Sequence, residues 1–98
     1  MKIEIFGYDP AIYTCAPCIN AKRLTQMKID AGMKLDVSFI SIAKSKTASG
    51  KPVIDMTVGS ELCKRLQRAS IMGMTMPQIF VDGRSIGGFS ELREFFKK

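Results

Sequence analysis

Cys15 and Cys18 stand in a C-A-P-C, with two residues between the thiols. A pair at this spacing can exchange disulfides, supply half of a metal site, or pack as a structural pair. Zinc asks for four ligands. The one further cysteine is Cys63 and there is no histidine, so a metal set would need Asp or Glu to complete it. Reversible thiol–disulfide exchange is therefore the expected chemistry. Pro17 is compatible only with a first helical turn, where its missing N–H is not needed. A helix is thus expected to open at the pair, with Cys15 at its positive end. The unpaired N–H groups and the macrodipole favour an anion there, so the Cys15 thiol should ionise well below the ordinary thiol range. Cys18, one turn on beside Ala21, should face inward and keep its proton. Cys15 would then attack a disulfide, and Cys18 would resolve the mixed disulfide that forms.

The surrounding chain supplies elements to hold such a pair. Lys2-Ile3-Glu4-Ile5-Phe6 alternates and ends at Gly7, predicting a first strand. After a loop from Tyr8 to Thr14, Cys18, Ala21, Leu24, Met27 and Ala31 recur at helical spacing up to Gly32. Leu35 to Ile40 alternates again as a second strand. Ala43 to Pro52 reads as a flexible polar insert. Val58, Leu62, Leu66 and Ala69 form one face of a second helix, entered near Thr57 or Ser60. Gln78–Val81 and Arg84–Ile86 are predicted strands joined by the tight-turn pair Asp82-Gly83. Ser90 is placed as the N-cap of a last helix that turns Leu92, Phe95 and Phe96 inward. The expectation is an α/β fold: one domain over residues 1–98, with a four-stranded mixed sheet flanked by three helices.

Composition narrows the function. With 98 residues, 46% hydrophobic and 24% charged, the chain has the balance of one small globular domain. The absence of histidine excludes Ser-His-Asp and Cys-His nucleophilic catalysis. Lys and Arg outnumber Asp and Glu by 15 to 9, a net charge of +6 that favours encounter with acidic partners. The basic residues are scattered, which speaks for solvated helix faces rather than nucleic-acid binding. No apolar run is long enough to span a membrane, and Met1-Lys2-Ile3-Glu4 carries an acid at once. A cytoplasmic chain, without nucleic-acid or membrane partners and acting as a monomer, is expected.

Two further motifs could bind a ligand. Thr75-Met76-Pro77 precedes the third strand, where a cis proline would leave Met76 presenting free backbone groups. Gly87-Gly88-Phe89-Ser90-Glu91-Leu92 combines two glycines, which permit close approach, with a helix N-terminus suited to a carboxylate. Either alone is more often plain turn chemistry. Together, C-A-P-C, T-M-P and G-G-F-S-E-L resemble the glutaredoxin family over essentially the whole chain. Its phage-encoded members are similar in Thr75–Phe80 and in Ile86–Phe96 as well.

This resemblance implies a thioredoxin fold and glutathione as the electron donor, with Cys15 as nucleophile and Cys18 as resolving thiol. It further implies that Pro77 is the cis proline and that Met76 pairs its backbone with the glutathione cysteinyl unit. Gly88, Ser90 and Glu91 would then hold the γ-glutamyl end, beside Thr75. Tyr13 and Tyr8 flank the nucleophile in sequence, which fits a lining of the groove and ordinary packing equally. Disulfide-containing proteins such as ribonucleotide reductase are the implied clients, in the host cytoplasm. The chain departs from the family in several places. It has C-A-P-C instead of C-P-Y-C, Ile12 where a lysine is common, and Met74 where a basic residue often precedes T-x-P. Lys64, Arg65 or Arg68 could then supply the cation for the glycine carboxylate. A thioredoxin-like reductant fed by a flavoprotein reductase, a glutathione-ligated iron–sulfur carrier and an inert binding module remain alternatives. Cys63 is read as a small buried hydrophobe, and Met72, Met74 and Met76 as an adaptable apolar rim.

Overall fold

The computed structural model describes residues 1–70 and 73–97. Its elements run β1 (Lys2–Gly7), α1 (Ala16–Asp30), β2 (Asp36–Ser41), β3 (Ala43–Lys46), β4 (Pro52–Ile54), α2 (Met56–Leu66), β5 (Gln78–Val81), β6 (Arg84–Gly87) and α3 (Phe89–Lys97). The main sheet has the order β2-β1-β5-β6. β1 and β2 are parallel across the α1 crossover, and the other two pairings are antiparallel. The expected four-stranded mixed sheet with three helices is thus present.

Alternation along β1 divides its side chains between two cores. Ile3 and Ile5 join Ile79 and Val81 against Ala21 of α1 and Leu92 of α3. Phe6 joins Phe80 and Leu62 on the opposite face, under α2. As a central strand, β1 is buried from Ile3 to Gly7. Glu4 is caught in this burial, and Arg65 of α2 reaches it at 3.0 Å while also holding Glu61 at 3.3 Å. The guanidinium lies over the Phe6 and Phe80 rings. The hydrogen bond to Glu4 raises the pKa of Arg65 above its ordinary value, with burial opposing and Glu61 adding to the rise. A raised pKa of this kind adds stability that is complete below the unfolded value and is lost only as pH climbs through the folded one. The guanidinium therefore stays charged across neutral and mildly alkaline pH.

Several local expectations are corrected. The insert is not a loose loop, because β3 and β4 form an antiparallel two-stranded sheet. The N-cap of α2 is Asp55, not Thr57 or Ser60: Asp55 Oδ1 accepts from the N–H groups of Thr57 at 3.0 Å and Val58 at 3.3 Å. The helix ends at Leu66 with Gln67 in the left-handed conformation, so Ala69 lies beyond it. On α1 the buried stripe is Cys18, Ala21 and Thr25, while Met27 is 65% exposed. Thr25 can be buried because its hydroxyl donates to the carbonyls of Ala21 and Lys22. The N-cap of α3 is Gly88, whose carbonyl accepts the Leu92 N–H at 3.0 Å, and Ser90 sits inside the first turn. Leu92 is buried as expected, with Phe95 and Phe96 packed beside it.

Candidate active site

The end of α1 sets the geometry. Cys15 is its N-cap, with extended backbone (φ −124°, ψ 101°), and Pro17 falls in the first turn. Cys15 Sγ accepts the Cys18 N–H at 3.3 Å, so the sulfur occupies the place a capping oxygen would take. The first turn carries no acidic residue. A thiolate at Cys15 would therefore meet an N–H group and the positive helix end with no competing carboxylate in that turn. The two cysteines are joined as a disulfide with Cα atoms 5.3 Å apart, which is the oxidised state of the pair. Cys15 is 9% exposed and Cys18 0%, so the expected order of accessibility holds.

Gly7, at the end of β1, is a constraint that strand patterning missed. A Cβ built there would lie 2.8 Å from Cys18 Sγ and 3.2 Å from its Cβ, so a side chain at this position would collide with the pair. The sequence signal was available as a glycine ending a central strand just before the cysteine loop. The β1–β5 register pairs Phe6 with Gln78, which sets Pro77 opposite Gly7. The Met76–Pro77 bond is cis. Among the described residues, the Met76 backbone makes no hydrogen bond. Gly88 borders the same corner, since a Cβ there would meet the Pro77 carbonyl oxygen at 3.4 Å. Gly7 thus lies against Cys18 and Gly88 against Pro77, with Pro77 opposite Gly7 where the register continues.

The other expected site residues vary in their placement. Tyr13 is 44% exposed and its ring lies 4.9 Å from that of Tyr8. The Asp9 carbonyl orders this loop by accepting from the N–H groups of Ile12 and Tyr13. The Thr75 carbonyl accepts from the Gln78 side chain at 2.7 Å. Ser90 and Glu91 lie in the first turn of α3, bordering a cavity of about 380 Å³ with Phe95. Glu91 Oε1 accepts the Gly88 N–H at 3.2 Å, which leaves Oε2 for a ligand. Of the three candidate cations, Arg68 lies beyond the end of α2, and Arg65 is committed to Glu4 and Glu61. Lys64 lines a separate cavity of about 550 Å³ beside the free, buried Cys63. Met74 and Met76 pack with the α2-side core, and Met72 lies outside the described residues. Among the described residues, no group of three or more Cys, Asp or Glu side chains could hold a metal ion. No described helix is long and apolar enough to cross a membrane.

A helix-capping cysteine closed onto its C-x-x-C partner, on this mixed sheet, defines a thiol–disulfide oxidoreductase. No protein-family model matches the chain. The glutaredoxin of Enterobacteria phage T4 is 42% identical over 95 residues, spanning 96% of this chain and 98% of that protein. The chain belongs to the glutaredoxin family. Its fold is the thioredoxin fold of that family, as two solved structures of Escherichia coli glutaredoxin show. The oxidised form is similar at TM-score 0.65 and 26% identity, covering 100% of this chain and 95% of that one. The reduced form is similar at TM-score 0.66 and 23% identity, covering 99% and 94%.

Proposed function

We propose that this chain is a dithiol glutaredoxin, a single domain that passes electrons from glutathione to protein disulfides. The observation that carries the reading is Cys15 Sγ serving as the N-cap of α1 and accepting the Cys18 N–H. In the reduced protein the Cys15 thiolate attacks one sulfur of a client disulfide. That S–S bond breaks, and the departing client thiolate takes up a proton. Cys18, deprotonated in turn, attacks Cys15 Sγ and releases the second client thiol. Two electrons have then moved to the client, and the Cys15–Cys18 bond remains. Two glutathione thiols reverse the sequence at Cys15, leaving the dithiol and oxidised glutathione.

The Met76 backbone beside cis-Pro77, unpaired among the described residues, suits an extended peptide such as the cysteinyl unit of glutathione. Gly88, Ser90 and Glu91 would hold the γ-glutamyl end, and Thr75 and Tyr13 would border the tripeptide. Ribonucleotide reductase would be one such protein client, as the family resemblance implies. The setting would be the host cytoplasm, with the protein acting as a monomer.

The test is glutathione-coupled turnover of a small glutathione mixed disulfide. Cys15→Ser is expected to be inactive and Cys18→Ser to retain appreciable turnover, because such a substrate needs only the first thiol. Equal rates for Cys15→Ser and the parent would overturn the assignment. Comparable turnover with a flavoprotein reductase in place of glutathione would overturn the choice of donor.

A further inference from the structure

The β3–β4 hairpin stands outside the site just described, yet it is rooted next to it. The Ile42 N–H donates to the Gly7 carbonyl at 2.9 Å, and the Ile42 carbonyl accepts the Asp55 N–H at 2.7 Å. The first bond ties the start of the hairpin to Gly7, which lies against Cys18 Sγ, and the second ties its end to Ile42. Ile42 and Ile54 also share the α2-side core with Tyr8 and Met76. The hairpin tip is ordered. Thr47 and Lys51 bond through Thr47 N–H to Lys51 O at 2.8 Å, and Lys51 N–H returns to Thr47 Oγ1 at 3.1 Å.

Its charge is one-sided. Residues 43–54 contain Lys44, Lys46 and Lys51 and no Asp or Glu, so they hold +3 of the chain's net +6. All three lysines are exposed. Among the described residues, no ion pair involves Lys44, Lys46 or Lys51, so these three ammonium groups have no carboxylate partner there. The register shift between Ala43 and Ser45 sets Lys44 at a bulge, which turns this stretch out of a regular ladder. The result is a hydrogen-bonded, unneutralised basic arm whose base is tied through Ile42 to Gly7, beside the disulfide.

We propose that this hairpin is a docking arm for an acidic segment flanking the target disulfide of a protein client. The proposal rests on the disulfide-reductase reading and adds a preference among its clients. Charge complementarity names the occupant. A protein ligand is favoured over nucleic acid because residues 43–54 include no aromatic side chain on which a base could stack. Such an arm raises the rate of productive encounter and leaves the thiol chemistry unchanged. Its effect should therefore appear in kcat/KM and fade with salt.

The experiment uses two disulfide peptides with the same cysteine loop, one flanked by glutamates and the other by glutamines. The parent protein should reduce the acidic peptide with about tenfold higher kcat/KM at low salt, and the advantage should vanish near 0.5 M salt. A triple Lys44→Gln, Lys46→Gln, Lys51→Gln variant should lose the preference and turn over the small mixed disulfide at the parent rate. The corresponding Lys→Glu variant should prefer a lysine-flanked peptide. Equal kcat/KM for the two peptides with the parent would overturn the proposal, as would a preference that survives in the triple variant. Tighter binding of a single-stranded oligonucleotide than of the acidic peptide, lost in that variant, would overturn it in favour of a nucleic-acid surface. Failure of the parent to turn over the small mixed disulfide would instead overturn the reductase reading, and the docking role with it.

Discussion

The N-termini of α1 and α2 are built alike and do different things. Each is preceded by an extended N-cap residue, Cys15 at φ −124° and Asp55 at φ −77°, and neither has an acid in its first turn. At α2 a carboxylate oxygen accepts two N–H groups, and the end is closed by an inert atom. At α1 the accepting atom is Cys15 Sγ. The same exposed donors that Asp55 satisfies for stability serve at α1 to favour a sulfur anion. A cap and a nucleophile are one piece of helix physics with a different atom in the slot. What sets α1 apart is the company the sulfur keeps: Cys18 one turn on, Gly7 pressed against it, and cis-Pro77 across the strand pair.

That company gives the largest predicted stability effect. Gly7→Ala should lose about 1–3 kcal/mol, because the new methyl meets a sulfur that is fully buried and tethered, not the free end of a flexible chain. Chemical denaturation measures the loss. An unchanged midpoint would mean that the strand end yields freely and that α1 is not held against it. Next comes a direct exchange of caps. Asp55→Cys should cost about 1 kcal/mol, since sulfur is the weaker acceptor. It should also create a thiol at α2 that alkylates faster than Cys63 at neutral pH. The rate of iodoacetamide alkylation at each sulfur, followed against pH by mass spectrometry, reads this out. An ordinary pH profile for the introduced thiol would show that the helix end alone does not activate a cysteine, and would break the comparison.

The cap of α1 was legible in the sequence because Pro17 permits little else there, and the C-x-x-C spacing then assigns the inward and outward sulfurs. The main sheet was legible for a similar reason: two short alternating segments, and two more short segments joined by Asp82-Gly83, allow few arrangements. Both turn residues have positive φ, as such a two-residue hairpin requires. The β3–β4 hairpin was hidden because Ala-Lys-Ser-Lys has no strand preference. It forms because Ile42 and Ile54 are anchored in a core made by residues distant in sequence. Met27 departs from its pattern for a related reason. Its spacing from Cys18 fits a helical stripe, but the buried line runs through Thr25, whose hydroxyl is satisfied by its own helix. Asp55 does not stand out as a cap in the sequence because the strand before it does not stand out either.

α3 is the third helix end and tests the comparison most finely. Here the carboxylate comes from inside the helix: Glu91 reaches back to the Gly88 N–H, and Gly87 makes room for it. A Cβ at Gly87 would lie 2.6 Å from Glu91 Oε1, and the φ of +109° already favours glycine. Glu91→Gln keeps an acceptor in this reach-back arrangement and removes only the charge beside the positive helix end. The expected loss is about 0.3–1 kcal/mol at low ionic strength, shrinking towards zero in 1 M salt as the field is screened. Paired denaturation curves at the two salt levels measure the difference. A loss that persists in high salt would mean that the carboxylate acts through hydrogen-bond strength instead of charge. The three helix ends would then differ in bond geometry, and the electrostatic account of Cys15 would lose its closest internal control.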